Sequence, residues 1–212
     1  MKQFKTIKEA VEFVGGLSAP SKMPCHSYGI SAYRCETGSK LVDVVGSTCA
    51  DCYALKGMYG DWNTPVHKAH QRRYEAMQKA EWVSAMVFLI NKKGMDYFRW
   101  HDSGDLQSFQ HLLNIVAIAE QCPNTNFWLP TREKKYVNQY QKAFGDFPAN
   151  LTVRVSATMI DDHAGDYPNT STVHQDKAPI GLACKAPEQD GKCGNCRACW
   201  DKSVQNISYK KH

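Results

Sequence analysis

The protein has 212 residues, of which 42% are hydrophobic and 22% are charged. These fractions are close to globular averages, so they exclude a disordered, collagen-like or coiled-coil chain, and the length suffices for a large buried core. The sum of 26 basic and 21 acidic residues gives a formal net charge of +5. This mildly basic balance permits a polyanionic partner but does not require one.

Neither a membrane span nor a secretion signal is evident in the sequence. The longest apolar run, over residues 82–90, contains Ser84 and is far shorter than the roughly 18 residues of a membrane helix. The first residues, MKQFKTIKEA, lack the apolar core of a signal peptide. We therefore expect a cytoplasmic protein with no membrane partner. In a reducing compartment, the nine cysteines favour metal binding over disulfide formation.

The first part of the chain predicts one short helix and then an irregular segment. Residues 5–16 have an amphipathic pattern that ends at a Gly-Gly pair. Residues 17–62 are rich in Gly, Ser, Tyr and Cys, and they predict a loop-like region with one short strand at 41–45. A helical pattern begins at a Thr-Pro pair and covers 64–93. Its length predicts two helices rather than one.

Strands and helices alternate after residue 94. The sequence predicts strands over 96–101, 126–130 and 151–157, and helices over 106–122 and 133–144. Strands that are separated by helices indicate βα units and a parallel sheet. The remaining residues, 163–212, are predicted to be loop-like.

Acidic residues follow the predicted strands, at the edge where parallel sheets carry their reactive groups. The sequence HDSGD places Asp102 and Asp105 directly after the first of these strands, and Asp161 and Asp162 follow the last one. Two carboxylates in one pocket can divide the work, one as nucleophile or base and the other as acid. An Asp before a helix also serves as an N-cap, so either acid of the first loop could instead cap a helix that begins at residue 106.

Four cysteines near the C-terminus have the spacing C-x8-C-x2-C-x2-C. Thiolates three positions apart on tight turns can reach one tetrahedral centre, and glycines within the cluster give the backbone the necessary freedom. We predict a metal-binding knuckle over residues 180–202, with zinc as the first choice and an iron–sulfur cluster as the alternative. Its ligands are Cys184, Cys193, Cys196 and Cys199.

A looser group of thiols lies in the irregular segment. It comprises Cys25, Cys35, Cys49 and Cys52, and it lies next to His26. Only Cys49 and Cys52 are closely spaced, so a second metal site and ordinary burial of small apolar thiols are both open. The group lacks the C-x3-C-x2-C spacing of radical S-adenosylmethionine enzymes, because Val45 occupies the required position. An atypical iron–sulfur or radical-type enzyme that uses these cysteines is the alternative function.

A short basic stretch lies at the start of the 64–93 helical region. It contains His67, Lys68, Arg72 and Arg73. The two interpretations are a solvated helix face and a surface that contacts the phosphates of a nucleic acid.

Two short motifs resemble those of the tRNA-guanine transglycosylases. The Asp-Ser-Gly sequence at 102–104, followed by Gln107, is similar to the D-S-G-G-F-Q segment of that family, and residues 129–132 match its L-P-T-R segment. The Cys-rich C-terminal region occupies the place of the family's zinc site. The chain differs from the family in its shorter length and its four-cysteine set. It also has Asn126 where the family has its nucleophilic aspartate.

The resemblance implies an enzyme that exchanges a nucleic-acid base. DpdA-type members of the superfamily replace guanine in DNA by a 7-deazaguanine base, so the implied partners are DNA or tRNA and a 7-deazaguanine base. A carboxylate displaces the old base at C1′ of the sugar, and the incoming base opens the covalent intermediate. Here the attacking acid would be Asp102, Asp105, Asp161 or Asp162. The expected substrate-binding residues are Ser103, Gly104, Gln107, Trp128, Thr131, Arg132 and Ser156.

The layout also resembles small uncharacterised phage proteins of the gene-product-eighty-eight type, through H-x-S-G-D at 101–105 and the Cys-Trp pair at 199–200. If a phage encodes the protein, its expected location is the host cytoplasm. We predict a single α/β domain over 1–212, as a reduced or partial (β/α) barrel with parallel strands and the C-terminal knuckle. The sequence allows an oligomer, because a second copy could complete the groove of a small barrel. A non-catalytic, zinc-stabilised nucleic-acid-binding protein is the third hypothesis.

Overall fold

A seven-stranded sheet is the centre of the computed structural model, which describes residues 3–211. Met1, Lys2 and His212, which belong to the predicted domain, lie outside the described residues. The strands are β1 (His26–Tyr28), β2 (Tyr97–Trp100), β3 (Asn126–Thr131), β4 (Leu151–Ser156), β5 (Thr170–His174), β6 (Leu182–Ala183) and β7 (Asn206–Lys210). Their order in the sheet is β1-β2-β3-β4-β5-β7-β6, and every neighbouring pair is parallel. The predicted α/β class with a parallel sheet is confirmed.

The described residues also form seven α-helices. These are α1 (Ile7–Val14), α2 (Glu36–Leu41), α3 (Gly57–Gly60), α4 (Pro65–Ala76), α5 (Trp82–Lys93), α6 (Phe109–Gln121) and α7 (Lys134–Phe144). The 64–93 region is two helices, as predicted, and the Thr64 hydroxyl accepts a hydrogen bond from the amide of His67 at the start of α4. The longest helix, α6, has 13 residues, and no helix within 3–211 has the length and apolar character to cross a bilayer.

Three predictions about local structure were wrong. Residues 41–45, predicted as a strand, form the end of α2 and a turn. The α6 helix begins at Phe109 rather than at residue 106, because the Ser108 side chain accepts a hydrogen bond from the amide of His111 and serves as its N-cap. Residues 163–212, predicted as loops, contain β5, β6 and β7. Neither Asp102 nor Asp105 therefore caps a helix.

The helix-covered side of the sheet is apolar. Alternate residues on β2 and β3, including Phe98, Trp100, Phe127 and Leu129, are completely buried and join one core with residues of α5, α6 and α7. Burial of each large apolar side chain contributes about 1.5–3 kcal/mol, so this core is the main source of stability.

The opposite side of the sheet is polar, and the C-terminal segment covers part of it. The buried guanidinium of Arg154 donates six hydrogen bonds to main-chain carbonyls, three of them at residues 198, 199 and 201. The indole of Trp200 donates to the carbonyl oxygen of Phe98 at 2.9 Å and packs against Trp128 with ring centroids 5.5 Å apart. These contacts hold the C-terminal cysteine region against the sheet.

Candidate active site

The backbone turns sharply between the end of β2 and Asp102. His101 has a φ of 53°, a left-handed conformation that non-glycine residues rarely adopt. Its ring packs against His111 of α6, with centroids 5.3 Å apart, on the helix-covered side. The next residue, Asp102, is only 4% exposed. Gly29 permits this arrangement, because a Cβ at that position would overlap Oδ1 of Asp102.

The Asp102 carboxylate is buried beside two arginines. Both of its oxygens lack a hydrogen-bond partner among the described residues. Burial lowers the pKa of Arg73, and the charge of Asp102 opposes that shift. For Arg99, burial also lowers the pKa, but the net shift is upward because several nearby groups, among them Tyr53 and Asp102, together outweigh it. The main-chain carbonyl of Asp102 accepts a hydrogen bond from the hydroxyl of Tyr53. The carboxylate is thus held near positive charge without being used in the fold.

Asp102 is one of several buried polar groups that have no hydrogen-bond partner among the described residues. Proteins rarely leave buried donors and acceptors unpaired, so such a group of atoms marks a place where a polar ligand or ordered water binds. The atoms without a partner in the described part of the chain include Ser27 Oγ, Ser31 Oγ, His70 Nδ1, Arg99 Nε, Ser103 Oγ and Trp128 Nε1. Burial, together with the charge of Arg73, lowers the pKa of His70 to about 4, so its ring is neutral at pH 7.

Asp105 differs from Asp102 because its oxygens are used. Oδ1 accepts hydrogen bonds from the Thr131 hydroxyl at 2.6 Å and the Leu106 amide at 2.7 Å, and Oδ2 accepts one from the Arg132 amide at 2.8 Å. Burial raises the pKa of Asp105 to about 6, although these hydrogen bonds oppose the shift. Asp105 therefore joins the loop after β2 to the end of β3.

Three more predicted binding residues lie in the same loops. Gly104 has a φ of 80° and packs against Ile30, and Thr131 is used by Asp105. The side-chain amide of Gln107 donates to the carbonyl oxygens of Arg34 and Asp105. Gln107 thus supports the loop rather than facing a ligand freely.

Arg132, Trp128 and Ser156 lie farther along the edge and the polar face. The Arg132 guanidinium donates to the Thr48 hydroxyl at 3.1 and 2.9 Å. The Arg99 guanidinium lies over the ring of Trp128, with its Cζ 4.5 Å from the ring centroid. The Ser156 hydroxyl pairs with that of Ser171 at 2.9 Å.

Asp161 and Asp162 lie in the loop between β4 and β5, and Asp161 contacts the residues just after β5. The Asp161 carboxylate accepts hydrogen bonds from the amides of Gln175, Asp176 and Lys177, and these bonds lower its pKa. Asp162 is exposed and accepts a hydrogen bond from the amide of the next residue. Both line a cavity of about 170 Å³ whose walls do not include Asp102 or Asp105. Asp161 thus has a structural use, and the cavity that it lines does not include the Asp102 carboxylate.

Cys25 lies beside a cysteine of the C-terminal group and not with the other three N-terminal cysteines. Burial raises the pKa of Cys25 to about 12, Arg99 opposes the shift, and the neighbouring charge of Cys193 adds to it. Cys25 precedes β1 and lies beside the C-terminal group, whereas Cys35, Cys49 and Cys52 follow β1 and interact with one another. The prediction that Cys25 belongs with these three is therefore corrected. Within residues 3–211, no group of three or more His, Cys, Asp or Glu side chains is already arranged to hold a metal ion.

The predicted basic stretch is only half exposed. Lys68 and Arg72 are exposed, but His67 and Arg73 are 4% exposed each. The Arg73 guanidinium donates to the Gly16 and Gly29 carbonyls and to the Ser18 hydroxyl, so it is part of the core. Both interpretations, a solvated helix face and a phosphate-binding surface, are corrected for His67 and Arg73, because the helix turns these two side chains inward.

The fold and site define a class of α/β proteins with buried, unpartnered polar groups at the carboxyl edge of a parallel sheet. A model of the gene product 88 family matches residues 2–202, and the chain belongs to this family. No curated protein and no solved structure matches the chain.

Proposed function

We propose that the protein is a nucleic-acid base transglycosylase that exchanges guanine in DNA for a 7-deazaguanine base. The observation that carries the proposal is the buried Asp102 carboxylate, whose two oxygens have no hydrogen-bond partner among the described residues. It follows a strand at the carboxyl edge of a parallel sheet, where such folds carry their reactive groups. The resemblance of residues 102–107 and 129–132 to the transglycosylase motifs supports the same reaction.

In this reaction Asp102 attacks C1′ of the target nucleotide. The bond to guanine breaks, an ester forms between the sugar and the carboxylate, and the incoming base opens that ester. The departing base gains a proton at the nitrogen that was bonded to the sugar. The incoming base loses the equivalent proton, so the exchange is balanced. Arg99 and Arg73 supply positive charge beside the attacking carboxylate, and Asp105 fixes the neighbouring loop.

The order of the first five strands supports the interpretation as a partial (β/α) barrel. β1 to β5 follow one another in chain order, and α6 and α7 connect β2 to β3 and β3 to β4. In this interpretation, Cys184, Cys193, Cys196 and Cys199 would hold a zinc ion that fastens the C-terminal segment against the sheet. The amides of Cys184 and Cys193 already bond to the carbonyls of Ser208 and Lys22.

The exchange reaction tests the proposal. The full-length protein is incubated with duplex DNA that carries labelled guanine, together with an unlabelled 7-deazaguanine base, and label release is measured. We expect release by the parent protein and a decrease of about 10³-fold or more in Asp102→Ala. Asp96→Ala is the matched control, because Asp96 is an exposed acid just before the same strand, at the opposite edge of the sheet. Equal release by the two variants would refute the assignment.

The same experiment separates the enzyme from a non-catalytic binding protein. A binding protein would retain DNA without releasing label, and Asp102→Ala would leave both results unchanged. We expect DNA binding to depend on the exposed Lys68 and Arg72, because phosphate contacts release counterions. Replacing both with Ala should lower the slope of log affinity against log salt by about two.

A second candidate function is an iron–sulfur enzyme. One specific observation favours it: Cys35, Cys49 and Cys52 lie close together in the loops at the same edge of the sheet as Asp102. Iron and sulfide analysis after anaerobic purification distinguishes this candidate from a zinc-stabilised transglycosylase.

A further inference from the structure

We propose that Cys35, Cys49 and Cys52 are the protein ligands of an iron–sulfur cluster in which one iron has no protein ligand. The proposal is independent of the transglycosylase reaction. It assigns the site to three of the four N-terminal cysteines and gives Cys25 no part in it.

Two segments of the chain carry the three thiols. Cys35 precedes the first residue of α2, and Cys49 and Cys52 lie in one turn, where the Cys52 amide bonds to the Cys49 carbonyl at 3.2 Å. A Cβ at Gly38 would lie 3.7 Å from the sulfur atoms of both Cys35 and Cys49, so these sulfurs face the same small space. Burial raises the pKa of Cys35, and the charges of Asp105, Cys52 and Cys49 add to the shift.

The turn that contains Cys49 and Cys52 is anchored to the sheet. The Ser47 hydroxyl donates to the Leu41 carbonyl and accepts hydrogen bonds from the amides of Cys49 and Ala50. The amide of Thr48 donates to the carbonyl of residue 158, just beyond β4. This turn is therefore fixed at the carboxyl edge by bonds that do not use the thiols.

The segment that contains Cys35 is anchored independently. The carboxylate of Glu133, which is 1% exposed, accepts hydrogen bonds from the Thr37 amide at 2.8 Å and the Thr37 hydroxyl at 2.9 Å. Glu133 follows β3, so α2 is tied to the strand next to the one that anchors the cysteine turn. Two separate anchors thus bring three thiols from distant parts of the sequence to one place.

The chemistry of the surroundings favours a cluster over a closed zinc site. Soft thiolates select zinc and iron–sulfur clusters, but structural zinc takes four protein ligands. Here the candidate protein ligands are three thiols, and Asp105, whose charge acts on Cys35, already accepts three hydrogen bonds. Arg132 places positive charge beside Cys35 and Cys49, which suits an anionic cluster. The thiols must rotate toward a common centre on binding, because the described residues hold no preformed ligand set.

The test is anaerobic reconstitution of the full-length protein with ferrous iron and sulfide. Bound iron, bound sulfide, visible absorption and the electron paramagnetic resonance spectrum of the reduced protein are measured. We expect the cluster signals in the parent protein and their loss in Cys35→Ser, Cys49→Ser and Cys52→Ser. Cys122→Ala is the control, because Cys122 is buried in the helix-side core, and it should retain the signals.

A second pair of variants distinguishes loss of the site from unfolding of the protein. Gly38→Ala places a methyl group between the thiols, 2.9 Å from the Cβ of Cys35, whereas Ser39→Ala changes the adjacent residue of the same helix. With circular dichroism unchanged in both, Gly38→Ala should lower the bound iron at least several-fold and Ser39→Ala should not. Iron that persists in the Cys35, Cys49 and Cys52 variants would overturn the proposal, and so would binding of zinc alone at these thiols. Base exchange by a metal-free protein would leave the transglycosylase proposal intact.

Discussion

Asp102 and Asp161 both lie in loops after strands of the same parallel sheet, but their carboxylates are used differently. Three main-chain amides bind the Asp161 carboxylate, and this acid fixes the turn after β5. The Asp102 carboxylate is buried between arginines and has no hydrogen-bond partner among residues 3–211. The position of an acid after a strand is therefore not enough to mark a reactive group. What distinguishes Asp102 is that both oxygens of its buried carboxylate have no hydrogen-bond partner among the described residues.

Among the variants that test the role of Asp102, Gly29→Ala is expected to have the largest effect. The added methyl group would overlap Asp102 Oδ1 and lie 2.9 Å from the main chain of Ser103. We expect a loss of about 1–3 kcal/mol in the free energy of unfolding, as for other overpacked sites, together with loss of base exchange. Urea denaturation and label release measure the two effects.

Gly94→Ala is the control for this variant. Gly94 has a positive φ of 59°, but no atom lies within 4 Å of the position that a Cβ would occupy there. Its substitution should cost about 1 kcal/mol for the backbone conformation alone and leave exchange intact. Exchange that is equal in the two variants would show that the contact between Gly29 and Asp102 has no role.

Asp105 is expected to make the free energy of unfolding depend on pH. Its pKa in the folded protein is about 6, above the ordinary 3.8, so the folded state holds a proton that the unfolded state has lost. The free energy of unfolding should therefore fall as pH rises from about 4 to about 6, by on the order of 2–3 kcal/mol, and then level off. Asp105→Asn should remove this fall. A difference between parent and variant that stays constant from pH 4 to 7 would contradict the assignment.

The smallest effect is expected for Asp161. Its hydrogen bonds to three amides lower its pKa, so they stabilise the fold above the unfolded pKa and are lost as pH falls. Asp161→Ala should therefore lower the melting temperature at pH 7, and the difference from the parent should vanish in acid. Asp162→Ala is the matched control, because within residues 3–211 the Asp162 carboxylate bonds only to the adjacent amide, and it should leave the melting temperature unchanged. Equal melting temperatures for both variants at pH 7 would show that the amide bonds contribute nothing.

The central part of the fold could be predicted because its signals are local. The apolar strands and amphipathic helices between residues 94 and 157 predicted βα units, and the Thr64-Pro65 pair marked the start of α4. The polar loops after these strands then identified the edge where Asp102 and Asp105 lie. These inferences needed only hydrophobic periodicity and capping residues.

The outer strands and the pairing of distant residues could not be predicted in the same way. β1 and β6 have only three and two residues, too few to show a period. The alternation in Thr170–His174 and Asn206–Lys210 is a signal that could have identified β5 and β7. The burial of Arg73 and the placing of Cys25 beside Cys193 depend on contacts far apart in sequence, which no local pattern encodes.

The most direct test of the account is to trap the covalent intermediate. The full-length protein is mixed with guanine-containing DNA in the absence of an incoming base, denatured, digested with nuclease and protease, and analysed by mass spectrometry. We predict a sugar adduct on the peptide that contains Asp102 in the parent protein and no such adduct in the Asp102→Asn variant. An adduct on the peptides that contain Asp161 or Asp162, or no adduct under conditions that support exchange, would contradict it.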